Sequence, residues 1–293
     1  MDESAGSPQP TVEVVAGALV DGRGRVLIAE RPAGRSFAGR WEFPGGKRHA
    51  GEAPRAALAR ELAEELGIEL LAAEPLLAVT HRYPGAREAV RIDCWRVAAW
   101  RGTPAPLDGQ RLRWCRREEL AEADILEADR PIVTALVLPP TFVRLPADER
   151  LDDQAAAAPG RGRVAWLVSA PPADAGVLRR LEDHGDLVFV IDPRAPPAGG
   201  AGSVYSAPHR LEPASGWRVP SGRIVHDGGA AAAAAADGAD FLLVPGRTCD
   251  AAQLAGIAAA GLPWYLDAAA PAPAAAAPTG RLYWSAPLPG GRL

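Results

Sequence analysis

The sequence predicts an α/β protein in two dissimilar halves. The first is an α/β/α sandwich on a mixed sheet, and the second a βα-alternating, incomplete TIM-barrel-like unit. Before about residue 140, strand-like apolar runs surround two helical segments, the order expected of a sheet covered by helices. After about Leu138 the composition shifts, and Ala155-Ala156-Ala157-Ala158-Pro159-Gly160 reads as a linker. From Val164 onward short apolar runs alternate with alanine-rich helical ones, the rhythm of a parallel sheet or partial barrel. These observations divide the chain into a first domain over 1–140, a linker over 141–162 and a second domain over 163–293.

In the first domain Thr11 to Val20 reads as a strand, Asp21-Gly22-Arg23-Gly24 as a hairpin turn and Arg25 to Glu30 as the partner strand. Pro54 stands where a first helical turn tolerates proline and Gly67 where helices tend to end, so the good helix formers between them predict a helix. Strands follow at Leu76 to Tyr83, Ala89 to Trp100 and Leu112 to Cys115, with a helix over Arg130 to Leu136. In the second domain the predicted strands are Val164 to Val168, Leu187 to Ile191, Arg223 to His226, Phe241 to Val244, Trp264 to Leu266 and Leu282 to Ser285. Helices are expected at Gly176 to His184, Gly229 to Asp237 and Ala251 to Gly261.

A chain of 293 residues with 48% hydrophobic composition can bury two cores. Its net charge of −4 argues against a surface for nucleic-acid polymers, while a single nucleotide in one cation-bearing pocket stays allowed. The first residues are acidic and polar, and no apolar run reads as a membrane span, so a cytoplasmic location without a membrane partner is expected. Cys94, Cys115 and Cys249 form no CxxC pair and read as buried thiols. Oligomeric state is left open.

The most informative stretch runs from Gly46-Lys47-Arg48-His49-Ala50-Gly51-Glu52 to Arg60-Glu61-Leu62-Ala63-Glu64-Glu65-Leu66-Gly67-Ile68. Helical spacing puts Glu61, Glu64 and Glu65 on one face, where three carboxylates repel one another unless a cation neutralises them. All-oxygen ligation suits Mg²⁺, or Mn²⁺, with substrate phosphates completing the shell. Leu58, Leu62 and Leu66 form the core ridge of the same helix. Lys47 is the only lysine in the chain, so its compact ammonium marks a position suited to a phosphate contact.

The spacing of glycine, Glu52 and Arg60-Glu61-Leu62-x-Glu64-Glu65-x-Gly67-Ile68 resembles the signature of the Nudix hydrolases. The preceding Trp41-Glu42-Phe43-Pro44-Gly45-Gly46-Lys47 resembles their MutT-like branch of 8-oxo-dGTP diphosphatases. The resemblance spans about Val12 to Leu136 and implies the sandwich fold. It implies that Glu61, Glu64 and Glu65 hold metal with the Gly46 carbonyl, and that Arg60 with Glu52 buttresses the helix. It also implies a phosphate contact for Arg31 and a loop at Arg87 suited to the nucleotide. Asp108, where the family carries a loop glutamate, would bind metal through water or help activate the nucleophile, and is equally read as an exposed loop acid. Asp129 takes the place of the base-reading residue, commonly asparagine, and is equally an N-cap of the following helix. Phe37 and Tyr83 are candidates to stack on a base, or core and rim aromatics.

The reaction implied is hydrolysis of a nucleoside triphosphate to monophosphate and diphosphate, with Glu61, Glu64 and Asp108 as candidates for general base. Val225-His226-Asp227 through Gly238-Ala239-Asp240-Phe241-Leu242-Leu243-Val244 resembles later strands of thiamine-phosphate synthase and TenI-like barrels. The second half is therefore expected to be a degenerate, non-catalytic remnant. Adjacent His226 and Asp227 would point to opposite faces of a strand and are not a catalytic pair. Three functions follow: removal of oxidised purine nucleoside triphosphates, hydrolysis of another pyrophosphate such as one of the thiamine pathway, or ligand sensing without turnover. The intact Glu52, Arg60, Glu61, Glu64 and Glu65 set argues against the last.

Overall fold

The computed structural model describes residues 10–139, 141–145, 164–168, 187–192, 203–206, 220–244, 250–267 and 282–284. The chain divides into two compact units, Met1–Val133 and Thr134–Leu293, with the division inside one helix.

The first unit holds two sheets. One has the order β4-β1-β6-β5, from β1 (Thr11–Leu19), β4 (Gly45–Lys47), β5 (Glu69–His81) and β6 (Ala89–Arg101). The other has the order β3-β2-β7, from β2 (Val26–Glu30), β3 (Trp41–Glu42) and β7 (Arg111–Cys115). In the first sheet β1 runs parallel to β6 and antiparallel to β4, so that sheet is mixed as expected. The expected hairpin does not form. β1 and the following strand meet only at a single bridge between Val20 and Val26, because β4 and β6 occupy both edges of β1. The turn is real: the Asp21 carboxylate accepts from the Arg23 and Arg25 amides at 2.9 and 2.8 Å. It passes the chain to the other sheet, where β2 pairs with β3 and β7.

Helix α1 (Pro54–Leu66) begins on proline and ends at Gly67, whose φ of 67° is the left-handed cap that glycine favours. Its apolar side, Ala57, Leu58, Leu62 and Leu66, is fully buried with Val15 and Leu19 of β1 and Val97 of β6. Each such leucine contributes about 1.5–3 kcal/mol by leaving water. Gly17 in β1 makes this approach close: a Cβ there would meet Leu58 and Leu62 side-chain atoms at 3.3 and 3.4 Å. Helix α2 (Arg117–Glu122), absent from the sequence expectation, is capped by reciprocal Arg116 and Glu119 contacts. A 3-10 turn at Glu127–Asp129 leads into α3 (Arg130–Val137).

The second unit contains β8 (Thr141–Leu145), β9 (Val164–Val168), β10 (Leu187–Asp192), β11 (Ser203–Ser206), β12 (Gly222–Ile224), β13 (Phe241–Val244), β14 (Trp264–Asp267) and β15 (Leu282–Trp284). Their ladders close into a ring in the order β10-β11-β12-β13-β14-β15-β8-β9. This corrects the expectation of an incomplete TIM-barrel-like unit in two ways. The ring is complete, because β8 lies in the stretch read as linker and β11 was not foreseen. It is also not all-parallel, because β11 runs antiparallel to both neighbours, which a (β/α)₈ barrel does not allow. Phe142, Ala165, Leu167, Phe241, Leu243 and Tyr265 form one core, and the buried Tyr265 hydroxyl donates to the Pro139 carbonyl at 2.9 Å. Helices α4 (Gly228–Ala236) and α5 (Ala251–Ala258) pack with Leu242, Val244 and Trp264 in a second cluster. Asp227 caps α4, accepting from the Ala230 amide at 2.8 Å, which gives that residue a structural role. The expected helix Gly176 to His184, the alanine-rich linker and Cys249 lie outside the described residues.

Candidate active site

A cleft of about 740 Å³ in the first unit is lined by the carboxylates of Glu61, Glu64 and Glu65 together with Gly46, Lys47 and Asp129. Arg31, Glu42, Asp108 and Gln110 line it as well. Arg87 does not, and its carbonyl instead accepts from Arg82 on a turn. Of the residues proposed for metal, catalysis and substrate, Arg87 and Arg60 lie off the cleft wall, and Arg60 acts from behind it.

The carboxylate face is set by two backbone approaches. At Gly45, whose φ is 145°, a Cβ would stand 2.1 Å from the Val15 carbonyl oxygen, so only glycine lets β4 lie here against β1. At Gly46 a Cβ would fall 2.5 Å from Glu61 Oε2, so this glycine admits the carboxylate against the main chain. The Gly45 amide donates to Glu65 Oε2 at 3.0 Å.

Arg60 organises the remaining acids. Its Nε and Nη2 donate to the two oxygens of Glu52 at 3.0 and 2.9 Å, a bidentate pair, and Nη2 also reaches the Lys47 carbonyl at 3.1 Å. Its Nη1 donates to Glu61 at 2.8 Å and to Glu64 at 3.3 Å. The guanidinium holds the Glu52 carboxyl down to about 2, helped by the His49 amide, and Arg60 itself is pushed further up. The buttress implied for Arg60 and Glu52 therefore extends to two of the three acids on the cleft face.

Glu65 differs from its neighbours. Burial, reinforced by the negative charges of Glu61, Glu42 and Asp108 and opposed by the Gly45 amide, pushes its carboxyl up to about 7. Burial is the main cause and three other acids of the same cleft add to it, while the ligating atoms that these acids and the Gly46 carbonyl offer are all oxygen. That chemistry fits a hard divalent cation held by Glu61, Glu64, Glu65 and the Gly46 carbonyl. Among the described residues no three acids, histidines or cysteines already converge as a finished metal cage. Glu61 and Glu64 turn instead toward Arg60.

Asp129 is the buried acid of the cleft, 4% exposed. Burial, with repulsion from Glu42, pushes its carboxyl up to about 7, against the Phe43 amide that donates to it and the charge of Arg31. That bond runs to Phe43, between β3 and β4, rather than into the helix that follows. Glu42, missed from sequence, is also raised by burial despite its partner Arg31. Arg31 is not displayed as a bare phosphate contact: its guanidinium pairs with Glu42 and donates to the Ser36 carbonyl at 2.6 Å. Only the register of β2 against β3, Ala29 opposite Glu42, brings these two together.

The aromatic pair lies at the same cleft. Phe37, 44% exposed with a φ of 61°, packs on Tyr83 at 4.7 Å between centroids, and Tyr83 meets His81 edge-on at 4.5 Å. Burial raises the Tyr83 phenol. His81 Nε2 is buried without a hydrogen-bond partner, 3.8 Å from Glu127. Asp108 sits on the 102–110 loop, half-exposed, paired with Arg35 at 3.1 Å. Gln110, buried and also missed, ties that loop to α1 through the Glu65 carbonyl at 2.9 Å. Cys94 and Cys115 are buried, as expected. Among the described residues no helix is long and apolar enough to cross a membrane.

Residues 10–136 match the NUDIX domain. The chain is 38% identical over 126 residues to CTP pyrophosphohydrolase of Escherichia coli (strain K12), covering 43% of this chain and 91% of that protein. It is 33% identical over 126 residues to 8-oxo-dGTP diphosphatase of Haemophilus influenzae, covering 43% of this chain and 91% of the relative. It is 29% identical over 125 residues to 8-oxo-dGTP diphosphatase of Escherichia coli (strain K12), covering 43% and 95%. These matches lend no support to a TenI-like second half, and the antiparallel β11 argues against one. Two of these relatives are more than 30% identical to this chain and are matched over nearly their whole length, and helix α1 carries Glu61 against Gly46 and Glu65 against the Gly45 amide: the chain belongs to the Nudix hydrolase family.

Proposed function

We propose that this protein is a divalent-cation-dependent nucleoside triphosphate pyrophosphohydrolase that converts 8-oxo-dGTP and water to 8-oxo-dGMP and diphosphate. The observation that carries the substrate is the buried Asp129 carboxyl in the cleft, raised to about 7. A neutral carboxyl offers one donor and one acceptor side by side. Oxidised guanine presents O6 as acceptor beside an N7–H donor, a matching edge. Ordinary guanine presents two acceptors there, leaving one group unpaired in a buried site, which discriminates strongly.

Glu61, Glu64, Glu65 and the Gly46 carbonyl would hold Mg²⁺, with Mn²⁺ as a substitute. The chemistry such an ion supplies is neutralisation of polyphosphate charge and acidification of water. Lys47 adds a point charge for a phosphate oxygen. Arg60 aims Glu61 and Glu64 by donating to both, and Glu61, Glu64 or Asp108 takes the proton from the attacking water.

One observation favours a second substrate. The cytosine edge also pairs an acceptor, N3, with a donor, N4–H, so the same neutral Asp129 would accept it, and one relative is named CTP pyrophosphohydrolase. The test is Mg²⁺-dependent diphosphate release from 8-oxo-dGTP, dGTP, CTP and dCTP, with orthophosphate release from thiamine pyrophosphate as control. Preference for 8-oxo-dGTP over dGTP supports the first reading, and a preference for CTP or dCTP the second. Turnover of thiamine pyrophosphate alone, or of nothing, overturns both.

A further inference from the structure

The 102–110 loop is fastened from two sides. On one side it ties to the C-terminal end of α1: the Ala105 amide donates to the Leu66 carbonyl at 3.0 Å and the Leu107 amide to the Glu65 carbonyl at 3.0 Å. Buried Gln110 reinforces this, accepting from the Asp108 amide at 2.8 Å while donating to the Glu65 carbonyl. These bonds satisfy carbonyls that the helix end leaves without internal partners. They also fix the loop to the helix that carries Glu61, Glu64 and Glu65.

On the other side the only tether described for the Asp108 side chain is Arg35, at 3.1 Å. Arg35 belongs to the segment between β2 and β3, which reaches the cleft with Phe37 and Arg31. Both partners line the cleft and both are more than half exposed, 61% and 51%. The pair thus joins the segment between β2 and β3 to the loop between β6 and β7, both of which line the cleft. An exposed pair is weak, so it can open and re-form without disturbing the core.

We propose that Arg35 is a positioning residue, a latch whose ion pair with Asp108 joins the two loops over the cleft and sets where the loop carboxylate stands relative to Glu65. The proposal rests on the pyrophosphohydrolase reading for its catalytic consequence but not for the latch itself. Arg35 touches neither the acids of α1 nor Asp129. Its effect reaches the reaction only through the position of Asp108.

The test is hydrogen exchange of the full-length protein, read on peptides covering 102–110, beside steady-state diphosphate release. In Arg35→Ala, exchange of this loop is expected to quicken by about two- to five-fold, the factor an exposed ion pair sustains, with peptides of α1 unchanged. Arg35→Lys should restore most of the protection. In Arg35→Ala, kcat should fall by a similar factor with KM nearly constant, and Asp108→Asn should cost less in that background than alone. Unchanged loop exchange in Arg35→Ala overturns the proposal whatever the kinetics. A rise in KM at constant kcat also overturns it, since Arg35 would then be a substrate contact. Quickened loop exchange in a protein that turns over no nucleotide leaves the latch standing and overturns the functional reading instead.

Discussion

Glu61 lies against the backbone of Gly46 so closely that a Cβ on the glycine would stand 2.5 Å from the carboxylate oxygen. No neighbouring side chain can relieve that overlap except Glu61 itself, which would have to leave the cleft. Gly46→Ala is therefore expected to lower kcat by about a hundred-fold, the scale on which an ångström of misplacement acts, while the fold survives. The check is kcat at saturating Mg²⁺ beside a thermal melt. Wild-type kcat in a folded variant would remove Glu61 from the metal set.

Arg60 bonds to Glu52, Glu61 and Glu64, and its fork cannot be replaced by a point charge. Without it Glu61 and Glu64 lose the donor that aims them. Arg60→Gln and Arg60→Lys are both expected to weaken Mn²⁺ binding by about ten- to a hundred-fold, the usual cost of losing a group that orients metal ligands. Mn²⁺ titration followed by electron paramagnetic resonance measures this without any substrate. Unaltered affinity would confine Arg60 to holding Glu52.

Asp129 gives a pH signature of definite sign. A buried acid raised to about 7 contributes stability that is fully present below the ordinary aspartate range and is lost as pH rises through about 7. Asp129→Asn escapes that loss, so it should match wild type near pH 4. It should exceed wild type at higher pH by an amount on the order of a few kcal/mol. Discrimination of 8-oxo-dGTP from dGTP by wild type should decline over the same rise in pH, as the donor on Asp129 is lost. Thermal midpoints that differ by a constant amount across pH would show that Asp129 titrates normally.

The motif was legible because each of its positions answers to one local requirement. Gly67 ends a helix, Pro54 starts one, and the leucines at three- and four-residue spacing bury one face while Glu61, Glu64 and Glu65 occupy another. What sequence could not supply was partner choice between distant segments. Whether β2 pairs with β1 depends on which strands already hold the edges of β1, and one of them, β4, is only three residues long. The commitment of Arg31 to Glu42, and of Asp108 to Arg35, depends on strand register and loop paths in the same way. In the second unit Thr141–Leu145 is a short run beside prolines, indistinguishable by composition from a linker. Only ladders to β15 and β9, strands far away in sequence, make it a strand and close the ring.

The second unit offers a test of its own packing and of its relation to turnover. A Cβ on Gly222 would stand 2.4 Å from a ring carbon of Phe241. That ring is fully buried, with Phe142 at 5.1 Å and Tyr265 at 6.2 Å between centroids, so it has little room to withdraw. Gly222→Ala should destabilise this unit by about 1–3 kcal/mol, the usual cost of overpacking. Calorimetry of the full chain should show a melting transition shifted down in the variant, and diphosphate release below that transition should keep its wild-type kcat, because Gly222 is no part of the cleft. An unshifted melt would mean that the ring of strands is looser than the Gly222–Phe241 contact requires. A fall in kcat at temperatures where the unit is folded would mean that the second unit contributes to the reaction.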